Sequence, residues 1–228
     1  MTGRDDQGAS YASPPCMAAE IAPDYFDPLA VDPAQARDVA RWRTAQRRDR
    51  LAARPSADSR RQIEATLATH LDALMASRFG DISGRVISGY WPIRSEPDLR
   101  PWMARLVAAG AIVALPVVAQ REAPLVFRPW TPGCPMRRGH WNILEPDTDR
   151  TVTPAICLAP LVGWDGQGYR LGYGGGYFDR SLAALRPAPR AIGVGYQDAQ
   201  MPTIYPQPHD VRLDAIVTED GLQWQTAG

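Results

Sequence analysis

Four short apolar runs, at residues 112–118 (IVALPVV), 155–162, 191–196 and 215–218, limit what this chain can fold into. Each is short enough to be a buried strand and too short for an ordinary helix. Two further strand candidates lie at 85–91 (RVISGYW, stopped by Pro92) and 125–130. Helical patterns fall between and before them. Strands alternating with helices predict an α/β fold: a single layered domain over 35–228, with a central, largely parallel (mixed) sheet flanked by helices. No internal repeat is present, and 228 residues suffice for one such domain without a disulfide or metal to hold it.

The helices have readable ends. The first is expected over 33–54, with Asp32 as cap and Pro33 in its first turn. The second is expected over 57–79, where Ile63, Leu67, Leu71, Leu74 and Met75 form one apolar stripe. Ser56 or Asp58 caps it and Gly80 ends it. A short third helix is expected over 97–109. A fourth begins in a glycine run and continues through 181–185. Residues 1–34 carry five prolines and six acids against one arginine, and are expected to form an irregular tail.

Net charge is zero, which argues against a nucleic-acid binder of the usual basic kind. All 25 basic residues are arginine, so lysine nucleophiles and lysine phosphate loops are excluded. Cys16, Cys134 and Cys157 make no disulfide framework, and His70, His140 and His209 make no metal-ligand pattern. No apolar run is long enough to cross a membrane, and the polar start carries no secretory signal. A cytoplasmic monomer without membrane or nucleic-acid partners is expected.

Chemistry concentrates in Arg170–Asp179 and the following Arg180 (RLGYGGGYFDR). This segment sits where an α/β sheet binds ligands, between a strand and a helix. Glycines let backbone N–H groups face a ligand, and the helix start adds partial positive charge. GxxxxGK[ST] is absent because there is no lysine, and GxGxxG is absent because Tyr177 replaces its third glycine. The glycines alone serve equally as a structural turn or a phosphate cradle. Arg170, Asp179 and Arg180 favour the cradle, offering charge neutralisation and a metal ligand. Asp179 also reads as a helix cap, Asp214 as a strand-end acid paired with an arginine, and Trp91 as a core residue. The excess of six positive charges over residues 37–61 reads as a solvated helical face.

GYRLGYGGGYFDR resembles the signature of the 5-formyltetrahydrofolate cyclo-ligase family, also called methenyltetrahydrofolate synthetases. Residues 89–100 (GYWPIRSEPDLR), 115–118 (LPVV), 127–130 (FRPW), 143–146 (ILEP) and 212–220 (RLDAIVTED) are similar to further family segments, in order, over roughly 35–220. The resemblance implies ATP- and Mg²⁺-dependent cyclisation of 5-formyltetrahydrofolate to 5,10-methenyltetrahydrofolate, with release of ADP and phosphate.

By this resemblance Arg170, Tyr173 and Asp179 are catalytic. ATP is expected to contact Arg37, Arg41, Arg170, Leu171, Gly172, Tyr173, Gly174, Gly175, Gly176, Tyr177, Phe178 and Asp179. The folate is expected to contact Trp91, Glu96, Tyr173, Gly174, Gly175, Gly176 and Tyr177, with Glu96 accepting pterin N–H groups. Asp179 and Asp214 are the implied Mg²⁺ ligands. Arg37 stands where the family has lysine, and Tyr173 and Gly175 stand where some relatives carry arginine and lysine. A non-catalytic nucleotide- or RNA-binding relative of the same fold is the alternative.

Overall fold

A computed structural model describes residues 33–226. Asp32 and nearly all of the expected tail lie outside the described residues. The first helix is α1 (Pro33–Ala52), followed by α2 (Ala57–Phe79). Ser56 caps α2 by accepting from the Ser59 N–H at 3.5 Å, and Gly80 closes it at φ +60°. Leu67, Leu71, Leu74 and Met75 are its buried stripe, as their spacing predicts. Strand β1 (Val86–Ser88), helix α3 (Arg100–Ala108) and strands β2 (Ile112–Val117) and β3 (Val126–Pro129) follow. The expected strand at 85–91 is cut short, because the chain leaves the sheet at Gly89 and turns toward Glu96.

A hairpin of β4 (Met136–Arg138) and β5 (Leu144–Pro146) comes next, then β6 (Ile156–Pro160). The chain continues through β7 (Gly163–Asp165), β8 (Arg170–Leu171), α4 (Tyr177–Ala184), β9 (Arg190–Val194), β10 (Gln200–Met201), β11 (Ala215–Thr218) and β12 (Gly221–Gln225). Seven strands form the central sheet in the order β12-β11-β9-β6-β1-β2-β3. The inner five are parallel, and the two edges, β12 and β3, pair antiparallel. A small sheet, β10-β7-β8, sits beside it.

The parallel strands bury both faces, as expected of strands covered on each side. Ile156 and Leu158 of β6, Ile192 and Val194 of β9, and Ala215 and Val217 of β11 pack against α2 and α3. Cys157, Ala159, Ala191 and Ile216 point the other way, toward Leu182 of α4, Trp164 and Tyr196. Deleting a side chain such as Leu67, fully buried in the first layer, costs about 2–5 kcal/mol. The segments expected to bind ligands leave this sheet from the carboxyl ends of β1 and β6.

Candidate active site

The glycine segment is held from below. Asp165, fully buried at the end of β7, accepts from the N–H groups of Gln167 (3.0 Å), Tyr169 (3.1 Å) and Ile204 (3.1 Å). Burial raises its pKa while these bonds oppose the rise. The turn they fix delivers Arg170 and Leu171 as β8. The loop then turns at Gly174 (φ +97°) and Gly176 (φ +64°), left-handed positions that favour glycine, and Gly176 starts α4. Gly174 and Gly175 are exposed. Among the described residues no acceptor takes the N–H groups of Gly172, Tyr173, Gly174 or Gly175.

Guanidinium groups surround this loop. Arg170, 5 % exposed, pairs with Asp179 at 3.1 Å and lies 5.5 Å over the Phe178 ring. Asp179 also accepts from the Val211 N–H at 3.1 Å. Arg180 donates to Gly175 O at 2.5 Å and stacks 5.0 Å over Tyr177, and its buried Nε has no partner among the described residues. Arg47 of α1 donates to Gly172 O at 2.7 Å, its guanidinium carbon 3.3 Å from where a Cβ on Gly174 would stand. Arginines thus occupy the carbonyl oxygens of Gly172 and Gly175 while the N–H groups stay open to an anion.

Tyr173 turns toward the carboxyl end of β1. Its hydroxyl donates to Glu96 Oε1 at 2.9 Å and accepts from Arg54 at 2.9 Å. Arg54 also donates to Leu161 O at 3.1 Å and Arg94 O at 2.5 Å. Glu96 is only 4 % exposed, and its Oε2 accepts from the Ile93 N–H at 2.9 Å. Burial pushes its pKa up to about 7, against the opposing pull of the Ile93 and Tyr173 bonds and the Arg54 charge. The Tyr173 hydroxyl is raised too, by burial first and then by Glu96. Arg94 and Ser95 beside it hold positive φ angles of 46° and 60°. Trp91 is half-buried against the α2–α3 core, with the Arg100 guanidinium 4.8 Å over its ring.

The glycine loop, Glu96, Asp179 and Arg170 therefore gather at one end of the sheet. Arg37 and Arg41 stand on the exposed side of α1, where Arg41 pairs with Asp38. The side of α1 facing the domain carries Arg43, Arg47 and Arg50, and Arg54 follows two residues after the helix ends at Ala52. Arg43 is bonded to Asp210, Ile204 O (3.0 Å) and Tyr205 O (2.9 Å), and Arg50 to Asp198 O (2.5 Å). Arg47 and Arg54 are absent from the expected site residues; the helix expected over 33–54 ends at Ala52, so Arg54 reaches the site from the link between α1 and α2 rather than from a helical face. Asp214 lies at the amino ends of β9 and β11, bonded to Arg190 (2.9 Å) and the Ala191 N–H (2.8 Å). It borders a cavity of about 430 Å³ lined by Leu182, Arg190, Val211 and Arg212, with none of residues 170–176 in its lining.

The residues fit a nucleotide better than they fit a bare cation. Open N–H groups with adjoining arginines suit phosphate. Among the described residues no group of three or more His, Cys, Asp or Glu side chains could hold a metal ion. Mg²⁺, however, takes one or two carboxylates and completes its shell with phosphate oxygens and waters. Asp179 is the carboxylate at the loop, with both oxygens already engaged by Arg170.

Comparison with known proteins agrees with the resemblance read from the motifs. A profile described as the 5-formyltetrahydrofolate cyclo-ligase family matches residues 33–219. The 5-formyltetrahydrofolate cyclo-ligase of Mycolicibacterium smegmatis is 32% identical over 146 residues, covering 60% of this chain and 75% of that protein. That of Escherichia coli K12 is 32% identical over 145 residues, covering 60% and 79%. Among solved structures, Aquifex aeolicus 5,10-methenyltetrahydrofolate synthetase superposes with TM-score 0.68 at 26% identity, over 82% of this chain and 94% of its own. The Mycoplasma pneumoniae synthetase shares the fold at TM-score 0.60 and 22% identity, over 80% and 99%. The chain belongs to the 5-formyltetrahydrofolate cyclo-ligase family.

Proposed function

We propose that this protein closes 5-formyltetrahydrofolate to 5,10-methenyltetrahydrofolate at the expense of ATP. The formyl group on N5 is an amide, so its oxygen leaves poorly. Transfer of the γ-phosphoryl group to that oxygen releases ADP and forms an iminium phosphate. The N10 lone pair then attacks the formyl carbon, the C–O bond breaks with loss of phosphate, and the N10 proton departs. Most of the acceleration comes from positioning and charge stabilisation.

The chain's residues divide this work. The N–H groups of residues 172–175 receive the terminal phosphates, with Arg47 and Arg180 holding the loop open by occupying its carbonyl oxygens. Glu96 receives pterin N–H donors in the place where Tyr173 now donates. Arg170 orients Asp179, and Asp179 is the residue that would hold Mg²⁺ against the phosphates, where the ion offsets negative charge. The contacts of Asp214 with Arg190 and the Ala191 N–H give it a structural role at the start of β9.

One observation carries the proposal: Tyr173 links an anion-ready loop directly to a buried, proton-hungry carboxylate, so the phosphate and pterin subsites adjoin. Three arginines of α1, and Arg54 just after it, are engaged in contacts within the domain, which leaves the RNA-binding alternative less charge to use. The test is substrate-dependent ADP release. One ADP per methenyl product is expected. ADP formation indifferent to the folate would remove the proposal.

A further inference from the structure

Trp141 stands out among the large apolar side chains of the described residues. It is 63% exposed, and its backbone is left-handed at φ 54°, as is that of Asn142 at 62°. Bulky residues rarely adopt this conformation, and where they do the strain is usually held at a ligand site. The turn is closed by the Gly139 N–H to Ile143 O bond at 2.8 Å, and Gly139 at its base leaves no room for a side chain. A Cβ on it would stand 1.9 Å from Glu145 Oε2. Glu145 is in turn fixed by Arg128 at 2.9 Å and Arg137 at 3.0 Å. The β4–β5 hairpin is thus a braced arm with an indole at its tip.

That tip lies against the glycine loop. Trp141 Cη2 is 3.5 Å from where a Cβ on Gly175 would stand. The indole meets the Tyr177 ring edge-on, with centroids 5.4 Å apart and planes at 87°. The His140 ring also lies against the indole, with centroids 4.3 Å apart and planes at 55°, and the residue still keeps 63% of its surface exposed. Exposed apolar surface and left-handed backbone each cost free energy, and both fall on one residue at the mouth of the candidate phosphate site.

We infer that the exposed indole of Trp141 is the stacking platform for a flat heteroaromatic ring of a substrate, either the adenine of ATP or the pterin of the folate. The inference rests on the proposed function for the identity of these ligands. Aromatic stacking on such a ring is sequence-tolerant but strong, and truncation to alanine typically weakens binding by roughly tenfold.

The test uses the full chain with Trp141→Ala and Trp141→Phe. Each KM is measured with the other substrate saturating. Trp141→Ala is expected to raise one KM by roughly tenfold, with kcat little changed and the melting temperature preserved because the side chain is mostly exposed. Trp141→Phe is expected to restore most of the loss. A rise in the ATP KM identifies adenine, and a rise in the folate KM identifies pterin. Unchanged KM values in a folded Trp141→Ala enzyme, or a fall in kcat alone, would overturn the platform. If the wild-type protein shows no turnover, the proposed function fails separately. The platform is then read from tryptophan emission: quenching by ATP or by 5-formyltetrahydrofolate, present in the wild type and lost in Trp141→Phe, supports it, and equal quenching in both overturns it.

Discussion

The Tyr173 hydroxyl donates to Glu96 Oε1 at 2.9 Å, joining the loop after β8 to the turn after β1 across 77 residues of sequence. Tyr173 fills the place that an N–H donor of the pterin would take. Tyr173→Phe deletes this donor and leaves a buried carboxylate oxygen short of a partner, at a cost of about 1–3 kcal/mol. Chemical denaturation is expected to show that loss. The same substitution moves the Glu96 titration further up, because the hydrogen bond favours the charged form, and a pH titration of folate binding reads this as an upward shift of the midpoint.

The role proposed for Glu96 should make folate binding pH-dependent. Its pKa stands at about 7 against an ordinary 4.5, with burial as the largest cause. The carboxylate is the form that accepts pterin N–H groups, so folate affinity should rise as pH increases through about 7. Stability has the opposite sign. The folded state keeps a proton that the unfolded chain releases between 4.5 and about 7, so stability falls with rising pH over that window and levels off above it. Glu96→Gln should weaken folate binding at pH 8, flatten its pH profile and raise the melting temperature at pH 8 but not at pH 4. A folate KM unchanged by the substitution would take Glu96 out of the site.

The two sides of α1 make a direct comparison possible. Arg47 holds Gly172 O at 2.7 Å, whereas Arg41 stands exposed and pairs with Asp38. Exposed pairs contribute about 0–1 kcal/mol. Arg47→Glu should raise the ATP KM by roughly tenfold, about 1.4 kcal/mol. Arg41→Glu should change it by less than about twofold, consistent with a pair of that strength. Equal effects would show that the exposed side of α1 also meets the nucleotide.

Asp179 and Asp214 can be separated by magnesium titration. Asp179→Asn keeps a side chain able to accept from Val211 but lowers the charge at the loop, so the Mg²⁺ concentration needed for half-maximal turnover should rise sharply. Asp179→Ala should also destabilise the fold by about 3–5 kcal/mol, because it strands the buried Arg170 guanidinium. Asp214→Asn should weaken the contacts at the start of β9 and leave the Mg²⁺ requirement unchanged. An altered requirement would bring Asp214 into the metal site.

Much of this architecture was legible in local pattern. The stripe from Leu67 to Met75 with its Ser56 and Gly80 ends predicts α2 over 57–79, and the run at 215–218 predicts β11. The glycine segment announces a loop before a helix because glycine's allowed backbone angles are a property of the residue itself. What stayed hidden depends on distant partners. The strands β4, β5, β7, β8 and β10 are two or three residues long, too short for any periodicity to show. The bonds of Arg54 to Tyr173 and Leu161 span more than 100 residues, and no local spacing encodes them. Trp141 reads in sequence as one more aromatic. Only the hairpin's placement beside Gly175 gives it meaning.

The central claim is that the open loop at residues 172–175 and the buried Glu96 together close a formylated folate with ATP. The most direct test mixes the purified protein with 5-formyltetrahydrofolate and Mg-ATP and follows near-ultraviolet absorbance. The account predicts growth of the methenyl absorbance that requires ATP and stops in Glu96→Ala. A flat trace with active folate and nucleotide, no different from a protein-free control, would contradict it.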